Sequence, residues 1–365
     1  MKALRLYGPK EMKVDDVPVP EINDNELLVK IDSTTICGSD FRNVAAGGSG
    51  HGMDLPRTMG HEIASTIVKV GRNWQGEYSV GEHIVIGAVV PCGKCELCLE
   101  GYENECLDKE AVSYNYDGGF AEYMRVPEQS IRSGNVLKVP AEVLQQVALS
   151  EPLSCAINGQ EIAKVGLGDS VLIVGCGPLG LFHIQLARLN GAKQVIASDF
   201  DEGRLEIAKD VGADVVFNPG KEDTAEKIRA LTGGKGVNVV IVAVPVPNVV
   251  ADSLKWVRKR GRVNVFGGMP KHKPEATLDL NLIHYNEITV TGTSDSTPRQ
   301  LQKAADLITT GRIKTEFMIS KVVDLEEAKE IMVGGPKPEY IKVVVKPDLN
   351  IQPAGGEEEK IALQN

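Results

Sequence analysis

The 365-residue chain reads as an α/β protein in which a β-rich unit accompanies a doubly wound parallel sheet. Three observations predict this. Short β-type runs punctuated by Gly, Pro and Asn fill the first 150 residues. From about residue 168 apolar strand runs alternate with helical spacings. The turn between the first such strand and helix is Gly175-Cys176-Gly177-Pro178-Leu179-Gly180. At roughly 150 residues per domain the length also suggests two units.

Taken in order, ELLVKID alternates, with Leu27, Val29 and Ile31 on one face and Lys30 and Asp32 on the other. EIASTIVKVG, EHIVIGAVV and FAEYMRV are further β-type runs. VLIVG at 171–175 is a buried-strand run. A helix follows, with Pro178 suited to its first turn and Leu179, Phe182, Leu186 and Leu189 on one face. QVIASD, DVVF, VNVVIVAV, RVNVF and ITVTGTS continue as strands, with helices at 201–210, 222–231 and 248–257 between them. Thr297-Pro298-Arg299-Gln300 supplies an N-cap, a first-turn Pro and a capping-box partner, so a helix starts there, and Gly311 is placed to stop it. YIKVVVKP is a final strand. The economical division is a β-rich unit of residues 1–150 and 297–347, an inserted α/β unit of 151–296, and a Gly- and Glu-rich tail of 348–365.

Composition narrows the function. Lys plus Arg number 40 and Asp plus Glu 50, a net charge of −10, which disfavours nucleic acid and anionic lipid as partners. The apolar runs are about half the ~20 residues a membrane span needs. The N-terminus lacks a secretory h-region, so a cytoplasmic protein with reduced thiols is expected.

In the glycine turn, the first Gly allows the tight bend, Gly177 lets the backbone approach a pyrophosphate, and Gly180 allows close helix packing. Pro178 and Leu179 open the helix whose amides face the phosphates. Asp199, nineteen residues beyond Gly180, can hydrogen-bond a ribose 2′-OH and would repel a 2′-phosphate, so NAD is expected over NADP. Arg204 is placed to reach the adenosine ribose. Phe266-Gly267-Gly268 follows a strand at its carboxyl end, where its backbone can hold the nicotinamide amide.

Four of the seven cysteines, Cys92, Cys95, Cys98 and Cys106, lie in one loop that Gly93 and Gly101 allow to curl. Four soft ligands without an open position suit structural zinc. An iron–sulfur cluster is the competing reading, but the Cys-Pro ending of ferredoxins is absent. Cys37, His61, Glu62 and Glu151 are dispersed. A thiolate, an imidazole and a carboxylate among them would leave zinc an open position.

The motifs CGSD, GHE, CGKCELC with Cys106, DGGFAEY, EPL and GCGPLG stand in one order over nearly the whole chain, to about Pro347. In this the chain resembles the zinc-dependent medium-chain dehydrogenase/reductase family, in its sorbitol (polyol) dehydrogenase-like group. The resemblance implies a GroES-like catalytic domain, a Rossmann domain and a cleft between them. It implies that Cys37 and His61 ligate a catalytic zinc, with Glu62 or Glu151 completing the shell. It implies that Ser39 takes the alcohol proton and that the chain forms a dimer or tetramer, with ITVTGTS an edge strand suited to pairing across a two-fold axis.

Two departures stand out. Many relatives carry His three residues after Ser39, where this chain has Arg42, which cannot shuttle protons. It could instead meet an anionic substrate group or a cofactor phosphate. Where sorbitol dehydrogenases have an Arg-Tyr pair, this chain has Ser294-Asp295. His51 lies in a Gly-rich loop and reads as exposed, Tyr114 and Tyr116 are candidates to line the pocket, and Cys155 and Cys176 read as buried or cleft thiols. The expected activity is NAD-dependent oxidation of a secondary alcohol on a polyol or sugar derivative. A threonine-type amino alcohol or a phosphorylated polyol is the alternative substrate, and a non-catalytic NAD-binding redox sensor the alternative class.

Overall fold

A computed structural model describes residues 1–49 and 52–349. His51 and most of the C-terminal tail, 350–365, lie outside the described residues.

The first unit is built on strand Leu27–Thr35, whose Leu27, Val29 and Ile31 are buried as the alternation predicts. It pairs antiparallel with Glu62–Val70, with Tyr123–Val126 and with Lys342–Val345, so the last strand returns to the first unit. The run EHIVIGAVV is split into His83–Ile86 and Val89–Val90, and FAEYMRV is a strand only from Tyr123. A smaller sheet of Glu11–Asp16, Lys2–Gly8 and Arg57–Thr58 lies beside it.

The second sheet has six strands, all parallel: Val215–Phe217, Gln194–Ser198, Ser170–Val174, Val237–Val242, Val257–Val265 and Thr289–Gly292 in spatial order. The strand order reverses between Ser170–Val174 and Val237–Val242, which places a ligand crevice beyond their carboxyl ends. Helix Pro178–Leu189 has the predicted span but not the predicted single face. Residues 181–187 are buried all round, while Leu189 is exposed, because the helix is sandwiched between the sheet and helix Ser150–Ile162. Helix Pro298–Thr309 carries the expected capping box: Gln300 N donates to Thr297 Oγ1 at 3.3 Å and Thr297 N to Gln300 Oε1 at 2.9 Å. Gly311 follows it in the left-handed region.

His183, inside Pro178–Leu189, is fully buried, meets the edge of Phe266 at 4.4 Å and has no hydrogen-bond partner on either ring nitrogen. Burial lowers its pKa to about 3. The folded state therefore rejects a proton that the unfolded state takes up near pH 6.5, and stability falls as pH drops from about 6.5 toward 3. We expect His183→Leu to remove roughly 1.4 kcal/mol of acid sensitivity per pH unit in that window. Thermal midpoints measured from pH 7 to pH 4 should fall less steeply in the variant than in wild type; parallel curves would contradict it.

Candidate metal and cofactor sites

Helix Gly38–Ala46 begins the first site. Cys37 is its N-cap, and Asp40, fully buried, accepts the Cys37 N–H at 2.9 Å in a Cys37/Asp40 capping box. The box fixes the thiol at the helix start. His61 enters from the segment that precedes strand Glu62–Val70. Its Nε2 lies 3.4 Å from Ser39 Oγ and its Nδ1 3.7 Å from Asp40 Oδ1. Burial pushes the imidazole pKa down, but Asp40, Cys37 and Glu151 together outweigh it and hold the ring well above its usual value. Asp40 is itself raised by burial.

Donor atoms of Cys37, His61 and Glu62 all lie within 4.8 Å of one another. Glu62 is fully buried, and both its oxygens receive Lys342 Nζ at 2.5 Å, while the Thr35 hydroxyl donates to it as well. Lys342, only 4% exposed, comes from the returning C-terminal strand. Glu151, in the first turn of Ser150–Ile162, falls outside that mutual cluster but near enough that His61 and Glu62 act on its charge. Burial raises its carboxyl to about 7. Cys155, one turn on, is 3.8 Å from Glu151 Oε1, and burial raises its thiol.

The donor set suits zinc: one soft thiolate, one imidazole and a carboxylate, with the imidazole oriented by an outer carboxylate. Orphaned polar atoms mark the same place, since His61 Nδ1 and Asp40 Oδ1 are buried without a hydrogen bond.

The four-cysteine loop forms a second cluster. Cys95 Sγ lies 3.4 Å from Cys98 Sγ and 3.9 Å from Cys106 Sγ. A tetrahedron with 2.3 Å Zn–S bonds has sulfur–sulfur edges of about 3.8 Å, so the spacing fits. Backbone N–H groups point at the sulfurs: Cys92 N at 3.2 Å from Cys106 Sγ, and Cys95 N at 3.3 Å from Cys92 Sγ. Amides from Leu107 and Cys98 bring the Cys95 thiol down to about 6, while burial pushes Cys98 up to about 12. Gly93 and Gly101 both adopt positive φ, as the curl requires.

In the glycine turn the three positions differ physically. Gly175 has φ +98°, and a Cβ there would meet Val244 at 2.5 Å. A Cβ on Gly180 would stand 1.8 Å from the Gly175 carbonyl oxygen. Gly177, the N-cap of the helix that Pro178 and Leu179 open, has nothing within 4 Å of its absent side chain, leaving room for a phosphate. Asp199 closes the turn, accepting Cys176 N at 2.7 Å and Asp201 N at 2.9 Å.

Several sequence expectations shift. Arg204 donates to the Pro338 carbonyl at 3.2 Å instead of standing free beside the turn. Phe266 packs its ring on His183, and its backbone with Gly267 and Gly268 lines a cavity of about 660 Å³. Tyr114 keeps its place, with its ring 6.3 Å from that of His61. Tyr116 does not: its hydroxyl pairs with Glu110, and it lines a different cavity, because the bridge between Val112 and Tyr116 turns it away. Arg42 is exposed, one turn above Ser39, with its guanidinium 3.7 Å from where a Gly38 Cβ would lie. Cys176 is buried.

The sequence reading missed Asp40, Thr35 and Lys342. It also missed Lys109 Nζ, which reaches Asp295 Oδ2 at 2.7 Å and ties the cysteine loop to the end of strand Thr289–Gly292. Asp295 has φ +52°, and it is close enough to act on the charge of Glu151. Cys37-x-x-Asp40 had a visible signal, the capping-box spacing with Cys in the Ser/Thr position.

Comparison with known proteins agrees with this geometry. Residues 23–141 match the alcohol dehydrogenase GroES-like domain, and residues 178–310 match a zinc-binding dehydrogenase domain. The chain is 31% identical to sorbitol dehydrogenase of Bacillus subtilis, over 95% of this chain and 98% of that one. It is 35% identical to L-threonine 3-dehydrogenase of Pyrococcus abyssi, over 92% and 95%. A zinc-binding dehydrogenase structure from Sinorhizobium meliloti bound to NADP superposes with a TM-score of 0.87 at 31% identity, covering 95% of this chain and 99% of that one.

Proposed function

Because the chain belongs to the zinc-dependent medium-chain dehydrogenase/reductase family, in its sorbitol dehydrogenase-like group, we propose that it oxidises a secondary alcohol of a polyol or sugar derivative with NAD. The observation that carries this is the cluster of Cys37, His61 and Glu62 with Ser39 beside His61, within a fold that also presents an open glycine turn.

The proposed roles are these. Cys37, His61 and a carboxylate hold the catalytic zinc, with Glu62 offering the third donor in this arrangement and Glu151 standing behind it. When bound, the zinc supplies Lewis acidity to the substrate hydroxyl and the nicotinamide accepts hydride. Ser39 takes the hydroxyl proton; its oxygen lies 3.4 Å from His61 Nε2, the nitrogen left to the metal because Nδ1 faces Asp40. Arg42 cannot carry that proton outward, so water or another group completes the relay. Asp40 holds Cys37 and faces His61, and Lys342 balances the charge of Glu62. Cys92, Cys95, Cys98 and Cys106 hold a structural zinc. Gly175, Gly177, Pro178, Leu179 and Gly180 seat the pyrophosphate, Asp199 faces the adenosine ribose with Arg204, which also holds the Pro338 carbonyl, on its far side, and Phe266 supports the nicotinamide.

We divide the chain, on the same reading, into a catalytic unit of 1–150 and 297–347 around a cofactor unit of 151–296. Strand Thr289–Gly292 pairs on one side only among the described residues, which supports a homodimer through that edge. No helix among the described residues is long and apolar enough to cross a membrane, and all seven cysteines are free, consistent with a cytoplasmic enzyme.

A threonine-type amino alcohol is the second reading, favoured by Asp295, a carboxylate near the site in the segment where Ser294-Asp295 stands in place of the Arg-Tyr pair of sorbitol dehydrogenases. Nicotinamide absorbance with polyols, phosphorylated polyols and threonine separates the two; reduction by none of them would leave the redox-sensor reading. For the cofactor, the Asp199 carboxylate beside the turn predicts at least about tenfold preference for NAD in kcat/KM. Asp199→Ser should raise KM for NAD and narrow that gap. A wild-type preference for NADP would overturn the assignment.

A further inference from the structure

A cavity of about 460 Å³ shares no lining residue with the metal or cofactor sites. It lies between the small sheet and the segment 115–125, and its walls carry three guanidinium groups, Arg5, Arg57 and Arg125, against two carboxylates, Glu21 and Asp117. This is a local cationic surplus on a chain of net charge −10.

The arginines are incompletely used. Arg57 is 14% exposed and, among the described residues, pairs with Asp117 alone, at 3.4 Å. Arg125 stands 3.7 Å from Glu26 and is 47% exposed. Arg5 gives one nitrogen to the Pro56 carbonyl at 3.0 Å. Guanidinium forks match phosphate oxygens bidentately. The remaining wall is apolar and aromatic, with Pro18, Met124 and Tyr123 among it, which suits a carbon skeleton attached to the anion.

We propose that this cavity binds a small organic phosphate as an effector. Its floor is coupled to the metal site through backbone. Thr58 lines it three residues before His61. Gly118 N donates to Thr58 O at 2.8 Å, Gly119 N to Gly60 O at 2.8 Å and Phe120 N to Met59 O at 2.9 Å. There is no slack in that seam, since a Cβ on Gly118 would stand 2.1 Å from Gly60 O. An anion that draws on Arg57 therefore acts on the strand leading to His61.

The test is calorimetric titration of the zinc-loaded full chain with glucose 6-phosphate, and in parallel with glucose and with succinate. Saturable binding of glucose 6-phosphate alone is expected, unchanged by saturating NAD. Arg5→Gln/Arg125→Gln should weaken it at least about tenfold, leave basal turnover unchanged and abolish ligand-induced hydrogen-exchange protection at 58–61 and 116–120. If the double variant does not fold, Arg125→Gln alone asks the same question at a half-exposed position. Absence of binding, equal binding of succinate, displacement by NAD, or undiminished affinity in the variant overturns the proposal.

Discussion

Lys342→Met should be among the most destabilising single substitutions in this chain. In the metal-free protein it leaves the fully buried Glu62 carboxylate without its cation, with the Thr35 hydroxyl still donating to it. Breaking a buried ion pair from one side costs about 3–5 kcal/mol. For a domain of this size that corresponds to a fall in Tm on the order of 10 °C. Lys342→Arg keeps the charge and should lose less. The double variant Lys342→Met/Glu62→Met removes both charges and should recover part of the loss, because the penalty lies in the unpaired ion and not in the missing bond. If the double variant were less stable than Lys342→Met by the full additive amount, Glu62 would not be the partner that matters.

Cys37→Ala should have the largest effect on activity. The thiol is one of three donors in the cluster, and its backbone N–H anchors Asp40, which faces His61. Metal Lewis acidity contributes several kcal/mol to charge stabilisation in the transition state, so kcat/KM should drop by roughly 10³ or more. Zinc content should fall from about two ions per chain to about one, because the four-cysteine loop shares no donor with Cys37. Far-UV circular dichroism and the thermal midpoint of the variant should stay close to wild type, which separates loss of metal from loss of fold. Retained turnover, or loss of both ions together, would contradict these roles.

The sequence made some of this legible and hid the rest for physical reasons. The glycine turn, the span of Pro178–Leu189 and the capping box at Thr297 and Gln300 are local features, set by φ, by close approach or by a three-residue spacing, and they appear where read. The four-cysteine loop is local too. Leu189 was misplaced because its helix is covered on nearly every side, so periodicity no longer reports which face is buried. Tyr116 was misplaced because a turn residue's direction depends on the bridge it closes. Lys342 is the one polar residue at the start of an apolar strand run, and nothing nearby indicates that it reaches a carboxylate 280 positions away. The same holds for Lys109 and Asp295, 186 positions apart. Buried ion pairs between distant segments follow from which strands are neighbours, and the return of 297–347 to the first unit does not by itself say that Lys342–Val345 pairs with Leu27–Thr35.

The central claim is that the chain moves hydride from a secondary carbinol carbon to nicotinamide at the Cys37–His61 site. It is tested most directly with the best substrate of the panel, deuterated at the carbinol carbon, and mass analysis of the reduced cofactor. Transfer of one deuterium to the nicotinamide ring in wild type, and none detectable in Cys37→Ala over the same interval, is the predicted result. Reduced cofactor whose new hydrogen comes from solvent, or deuterium transfer undiminished without Cys37, would contradict it.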